Sequence, residues 1–124
     1  MRRARIWVAL IGIALPYVAR LPGGIAWLQQ YLESGLMGFA FISGFNAVAW
    51  LTILAASLIY QRPASLLGPA LPGFAFLAWM HGTLNLGGDG QAGIALLFIP
   101  LYALLPIGIG GVIGYVIDQR LRHE

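Results

Sequence analysis

Four long apolar runs, separated by short segments that hold nearly all of the charge, constrain this chain more than any other feature. They fall at about residues 6–20, 36–61, 66–86 and 93–117. A helix needs roughly 20 apolar residues to cross a hydrocarbon core of about 30 Å. Lipid admits only segments that satisfy their own backbone hydrogen bonds, so four such runs predict an all-α membrane protein with four transmembrane helices. The chain is 60% hydrophobic and 9% charged, against about 45–50% and 25% in soluble domains. A water-soluble fold of 124 residues has too little interior to hide that much apolar surface. A single integral domain over residues 1–124 is expected.

The arginines orient it. Arg2, Arg3 and Arg5 precede the first run, Arg62 follows the second, and Arg120 and Arg122 follow the fourth; only Arg20 falls on the other side. Cytoplasmic loops carry the excess of basic residues, so both termini are placed inside. Every cation other than histidine is arginine, which suits a GC-rich bacterial genome and a bacterial inner membrane. Arginines at span ends, without a basic stripe, argue against a nucleic-acid partner and for contact with the lipid bilayer. The chain has no cysteine, so disulfides and thiolate metal sites are excluded.

The first run is short. From Ile6 to Ala19 it rises only about 21 Å, so Arg5 and Arg20 are expected to snorkel outward, with Trp7 and Tyr17 as interface anchors. It reads as an uncleaved span rather than a signal peptide, because no small-x-small cleavage site follows. Leu21-Pro-Gly-Gly24 then breaks the helix. From Ile25 to Ser34 the order is amphipathic: Ile25, Trp27, Leu28, Tyr31 and Leu32 on one side, Gln29, Gln30, Glu33 and Ser34 on the other. A short interfacial helix on the outer surface is expected there. In the third run, Pro69 and Pro72 place the start of regular helix near Pro72, with irregular backbone over 67–73. Gly87-Gly-Asp-Gly-Gln91 is a turn by composition.

Polar residues inside the runs are few. Ser43, Asn46, Trp50 and Ser57 share an arc of about 60° on the second span and should face the protein interior. A membrane asparagine usually bonds across to a neighbouring helix. His81 and Asn85 are spaced one helical turn apart near the outer end of the third span. Together Ser43, Asn46, His81 and Asn85 form the candidate polar intramembrane site. One histidine with an asparagine lacks the donor set of a metal site, so no metal or cofactor is expected. Outside the spans, Glu33 and Asp89 are the outer-face acids, and Asp118 is expected to pair with an arginine. No carboxylate lies within a span, which weighs against a proton-driven exporter. No hydroxyl has an adjacent base, so no catalytic set is present.

Small residues four apart recur as Ala40/Gly44 on the second span and Gly110/Gly114 on the fourth. Such strips let helices approach closely, within one chain, in self-association or against a membrane protein partner. No internal repeat of the transporter kind is visible. The expectation is a non-enzymatic accessory, assembly, regulatory or immunity subunit of a larger membrane complex. The alternative is a small homo-oligomeric channel or carrier with a polar path lined by the second and third spans.

Overall fold

The computed structural model of the chain describes residues 1–33, 35–85 and 92–122. Ser34, Asp89, the turn at 87–91 and His123 lie outside them. Every regular element among the described residues is helical: α1 (Arg2–Val18), α2 (Ile25–Leu32), α3 (Gly35–Ala56), α4 (Leu67–Thr83) and α5 (Ala92–Arg122). Short 3-10 turns occupy Leu21–Gly23 and Pro63–Leu66. Four helical segments are long and apolar enough to cross a membrane: Arg2–Gly23, Gly35–Ala56, Pro63–Thr83 and Ile94–Arg122.

The first segment is longer than its apolar run. Arg2, Arg3 and Arg5 are part of α1, and with the following 3-10 turn it reaches 22 residues, roughly 33 Å at the α-helical rise. Arginine has good helix propensity, so the helix does not stop where hydrophobicity stops. α4 also begins earlier than expected, at Leu67. Pro69 is its third residue, where a missing amide breaks no intrahelical bond, so only Pro72 falls in the helix interior. α4 ends at Thr83, with Leu84 extended (φ −71°, ψ 124°). Asn85 therefore lies past the helix end rather than one turn above His81.

α4 packs along α5, α3 packs on both α5 and α1, and α1 returns against α4. Their shared interior holds Ala49 and Ile53 of α3, Leu77 of α4, and Ile99, Ala103 and Ile107 of α5, all essentially without exposure. The α5 trio repeats every four residues, which keeps one stripe of the helix inward. Outside, large apolar side chains stay uncovered on every long helix, among them Leu10, Phe45, Leu51, Trp79, Leu105 and Val112. Exposure on that scale needs a lipid surround or a protein partner.

The seam between α4 and α5 has a backbone cause. Pro72 offers no amide to the carbonyl of Gly68, four residues earlier. That freed oxygen lies directly against Gly110, where a Cβ would collide with it. The Ser65 carbonyl, already paired with a backbone amide at the end of the 3-10 turn, packs on Gly114, where a Cβ would stand 2.5 Å from that oxygen. The glycine pair of α5 thus accommodates two carbonyls of the α4 side, and the Gly68 oxygen that Pro72 leaves exposed is close enough for a Cα–H contact to help satisfy it.

At the opposite end of α4, α2 is set off by two glycines with positive φ, Gly24 (94°) and Gly35 (62°). This backbone is strained for side chains with a Cβ, and it lets eight residues of helix lie between α1 and α3.

Candidate functional site

Buried polar groups gather in three places. The largest cluster surrounds Arg20, just past the end of α1. Instead of snorkelling, Arg20 is 0% exposed. Its Nε donates to the Trp27 carbonyl (2.8 Å), Nη1 to the carbonyls of His81 and Leu84 (both 2.7 Å), and Nη2 to Gln30 Oε1 (2.9 Å). The guanidinium carbon also stands 4.0 Å from the Tyr31 ring centroid and 4.5 Å from that of Trp27. Trp27 Nε1 donates to the Gly82 carbonyl (2.7 Å).

The acceptors explain the burial. The last carbonyls of a helix have no intrahelical partner and carry the negative end of its dipole. His81, Gly82 and Leu84 supply such carbonyls at the end of α4, and Arg20 with Trp27 caps them. A planar guanidinium with five donors suits several convergent carbonyls in a way that an ammonium does not. Among the described residues no carboxylate pairs with Arg20. The charge is held by backbone dipoles, one amide side chain and two aromatic faces.

His81 belongs to this cluster. It is buried, and its Nδ1 lies 2.8 Å from the Tyr31 hydroxyl, with the two rings edge-on. Nε2 has no hydrogen-bond partner among the described residues. Tyr31 sits beneath α2 with its phenol pushed well above its ordinary pKa by burial, an effect the neighbouring guanidinium only partly opposes. It therefore stays protonated at neutral pH. Asn85 is exposed, and its Oδ1 accepts from Gln30 Nε2 (3.1 Å). Glu33 is exposed at the end of α2.

The second place is the seam between α1 and α3. Asn46 is buried and its Nδ2 donates to the Gly12 carbonyl (2.8 Å). Trp50 packs on Gly12, leaving no room there for a Cβ. Ser43 lies one turn from Asn46. The hydroxyls of Tyr17 and Ser43 are buried within reach of each other, while Trp50 Nε1 and Asn46 Oδ1 are buried with no hydrogen-bond partner among the described residues. Thus Ser43 and Asn46 do not meet His81 and Asn85. The link between the two clusters is aromatic: Tyr17 of α1 lies edge-on to Tyr31, with centroids 6.1 Å apart.

The third place lies at the end holding both described termini. Asp118 of α5 is buried and accepts from the backbone amides of Gln61 (3.1 Å) and Arg62 (2.9 Å) and from Ser65 Oγ (2.8 Å). It also pairs with Arg122 at 2.7 Å. These amides precede the turn that leads into α4, so a carboxylate sits at the start of α4 and a guanidinium at its end, as the helix dipole favours. Nearby, Arg5 Nε donates to Ser57 Oγ (2.9 Å), and the Tyr60 hydroxyl donates to the Gly111 carbonyl (2.6 Å).

The two small-residue strips have different surroundings. Gly110 and Gly114 are buried against α4, whereas Ala40 and Gly44 are exposed, and a Cβ on Gly44 would meet nothing within 4 Å. Among the described residues no group of three His, Asp or Glu residues converges to hold a metal ion.

Sequence reasoning missed the roles of Arg20, Trp27, Gln30 and Tyr31. The signal was present in part: Trp27, Gln30 and Tyr31 fall within about 100° of arc, across the border between the apolar and polar sides of the helix, beside an arginine with no acid near it in sequence. Comparison of the chain with protein-family models, with curated proteins and with solved structures finds no match.

Proposed function

We propose that this chain is a non-enzymatic accessory subunit of a larger membrane complex, docked to a partner's transmembrane helix through α3. In this reading the four long helices form a transmembrane bundle in a bacterial inner membrane. α2 lies in the outer interface and both termini are cytoplasmic. The orientation is supported by the six arginines at the terminal end, against Arg20 alone at the other.

One observation carries the docking role: the Ala40/Gly44 strip is open, while the comparable strip of α5 is filled by α4. Without a hydrophobic force between helices in lipid, close backbone approach at small residues is a main source of association energy. The strip is edged on one side by the exposed, mutually packed rings of Phe41 and Phe45, and it leaves room for a second helix to approach closely. The polar clusters support the same reading, because most of their donors and acceptors are committed to capping helices and to proline-freed carbonyls.

The test is co-purification from native membranes of tagged wild type, Gly44→Leu and Ala55→Leu, the last an exposed α3 residue three turns away. Wild type and Ala55→Leu should recover a second polypeptide in fixed ratio, and Gly44→Leu should lose it. Equal recovery by all three would remove the docking role.

A second reading, a small homo-oligomeric channel or carrier, is favoured by the buried polar atoms of Tyr17, Ser43, Asn46 and Trp50 along one seam, of which Asn46 Oδ1 and Trp50 Nε1 have no partner among the described residues. It requires that wild type conduct an ion or solute in liposomes and that Asn46→Leu or His81→Leu abolish the flux. Flux unchanged by these substitutions would dismiss it.

A further inference from the structure

An apolar groove of about 230 Å³ runs between α1 and α4 at the end of the molecule that holds the termini. Ala4, Trp7 and Ile11 form one wall, and Pro63, Leu67 and Phe74 the other. The α1 positions recur every three to four residues, so they line a single face of that helix. From Ala4 to Ile11 the groove follows about 10 Å of helix, from the terminal end toward the middle of the segment.

Its mouth is basic. Arg3 precedes Ala4 and Arg62 precedes Pro63, so each wall begins beside an arginine, and both are exposed. Arg5, Arg20 and Arg122 are committed to Ser57, to the α4 terminus and to Asp118. The side chains of Arg3 and Arg62, by contrast, have no hydrogen-bond or ion-pair partner among the described residues. An apolar slot whose two walls each follow directly on an uncommitted, exposed arginine suits an amphiphile with an anionic head and a hydrocarbon tail.

We infer that this groove binds one anionic phospholipid, with an acyl chain between α1 and α4 and its phosphate held by Arg3 and Arg62. A protein helix is too wide for a slot of this size, given an α-helix diameter of about 10 Å with side chains. A single acyl chain is not. Basic pockets between spans on the cytoplasmic side are suited to anionic headgroups, and each arginine adds to the attraction. The inference rests on the membrane placement proposed above and not on the accessory role.

The experiment is native mass spectrometry of the purified chain in neutral maltoside micelles, with added phosphatidylglycerol or phosphatidylcholine. The expected result is one retained phosphatidylglycerol per chain, and weaker retention of phosphatidylcholine. Arg3→Gln and Arg62→Gln should each weaken phosphatidylglycerol retention about fivefold, while Arg120→Gln, an exposed arginine on α5, should leave it unchanged. Ala4→Phe, which fills the groove and leaves both arginines in place, should abolish retention. Equal retention of the two lipids would overturn the inference, as would an Arg120→Gln effect equal to that of Arg62→Gln, or full retention by a folded Ala4→Phe chain. A chain stripped from membranes by alkaline carbonate would overturn the membrane placement together with the groove.

Discussion

The Asn46 side-chain amide donates to the carbonyl of Gly12, the oxygen that Pro16, four residues on in α1, leaves without a helical partner. This makes the most deeply placed polar residue of α3 a repair of a proline defect in the neighbouring helix. Pro72 with Gly110 solves the same problem in α4 by glycine contact instead of a side-chain donor. Prolines are tolerated in membrane helices where neighbours answer the freed groups.

A double-mutant cycle tests this directly. Asn46→Leu should destabilise the chain by about 1 kcal/mol, the usual scale of a polar contact between membrane helices. In a Pro16→Ala background, where the amide is restored, the same substitution should cost little. Equilibrium unfolding in mixed micelles measures both. Equal costs in the two backgrounds would refute the repair role.

The glycines of α5 should separate into two classes. Gly110→Ala drives a Cβ into the Gly68 backbone, and overpacking against backbone typically costs about 1–3 kcal/mol. Gly108→Ala points its Cβ into open space and should be neutral, or stabilising by up to about 1 kcal/mol through helix propensity. The two variants, unfolded side by side, should differ in sign or by well over the error of the method.

Much of the fold was legible because hydrophobicity is local. The apolar runs located the four long helices, and Leu21-Pro-Gly-Gly24 marked the break before α2. The pairing of Asp118 with Arg122, four residues apart on one helix, also follows from spacing alone. The rest depends on partners distant in sequence. Arg20 reads as a snorkelling cation because its carbonyl acceptors on α4 lie 61 and 64 residues away. His81 and Asn85 read as a helical pair because nothing local ends α4 at Thr83. Ala40/Gly44 and Gly110/Gly114 look alike in sequence, and only the α4 backbone, with its two prolines, distinguishes them.

Arg20 should resist conservative exchange. Arg20→Lys keeps the charge but cannot reach the Trp27, His81 and Leu84 carbonyls and Gln30 together, so it should lose about 2 kcal/mol or more of stability. Arg122→Gln removes a partly exposed partner of Asp118 and should cost about 1 kcal/mol or less. Thermal unfolding of the two variants checks the order, and an Arg20→Lys chain as stable as wild type would contradict the capping role.

Alkaline pH should weaken the fold through Tyr31. Its phenol is raised above its ordinary value of about 10 by burial. The stabilisation from keeping it neutral is therefore full below pH 10 and is lost as pH climbs toward the folded-state value. Melting temperature should fall as pH rises above about 10, and Tyr31→Phe should flatten that fall. An unchanged slope in the variant would show that Tyr31 is not the group responsible.

The central claim is that the polar groups of this chain hold its helices together while an open face of α3 binds another protein. Native mass spectrometry of the tagged chain, purified at natural expression level in a lipid-preserving detergent, tests it most directly. The account predicts one defined mass containing a second polypeptide, lost on Gly44→Leu. A mass corresponding to the bare chain or to copies of itself would contradict it.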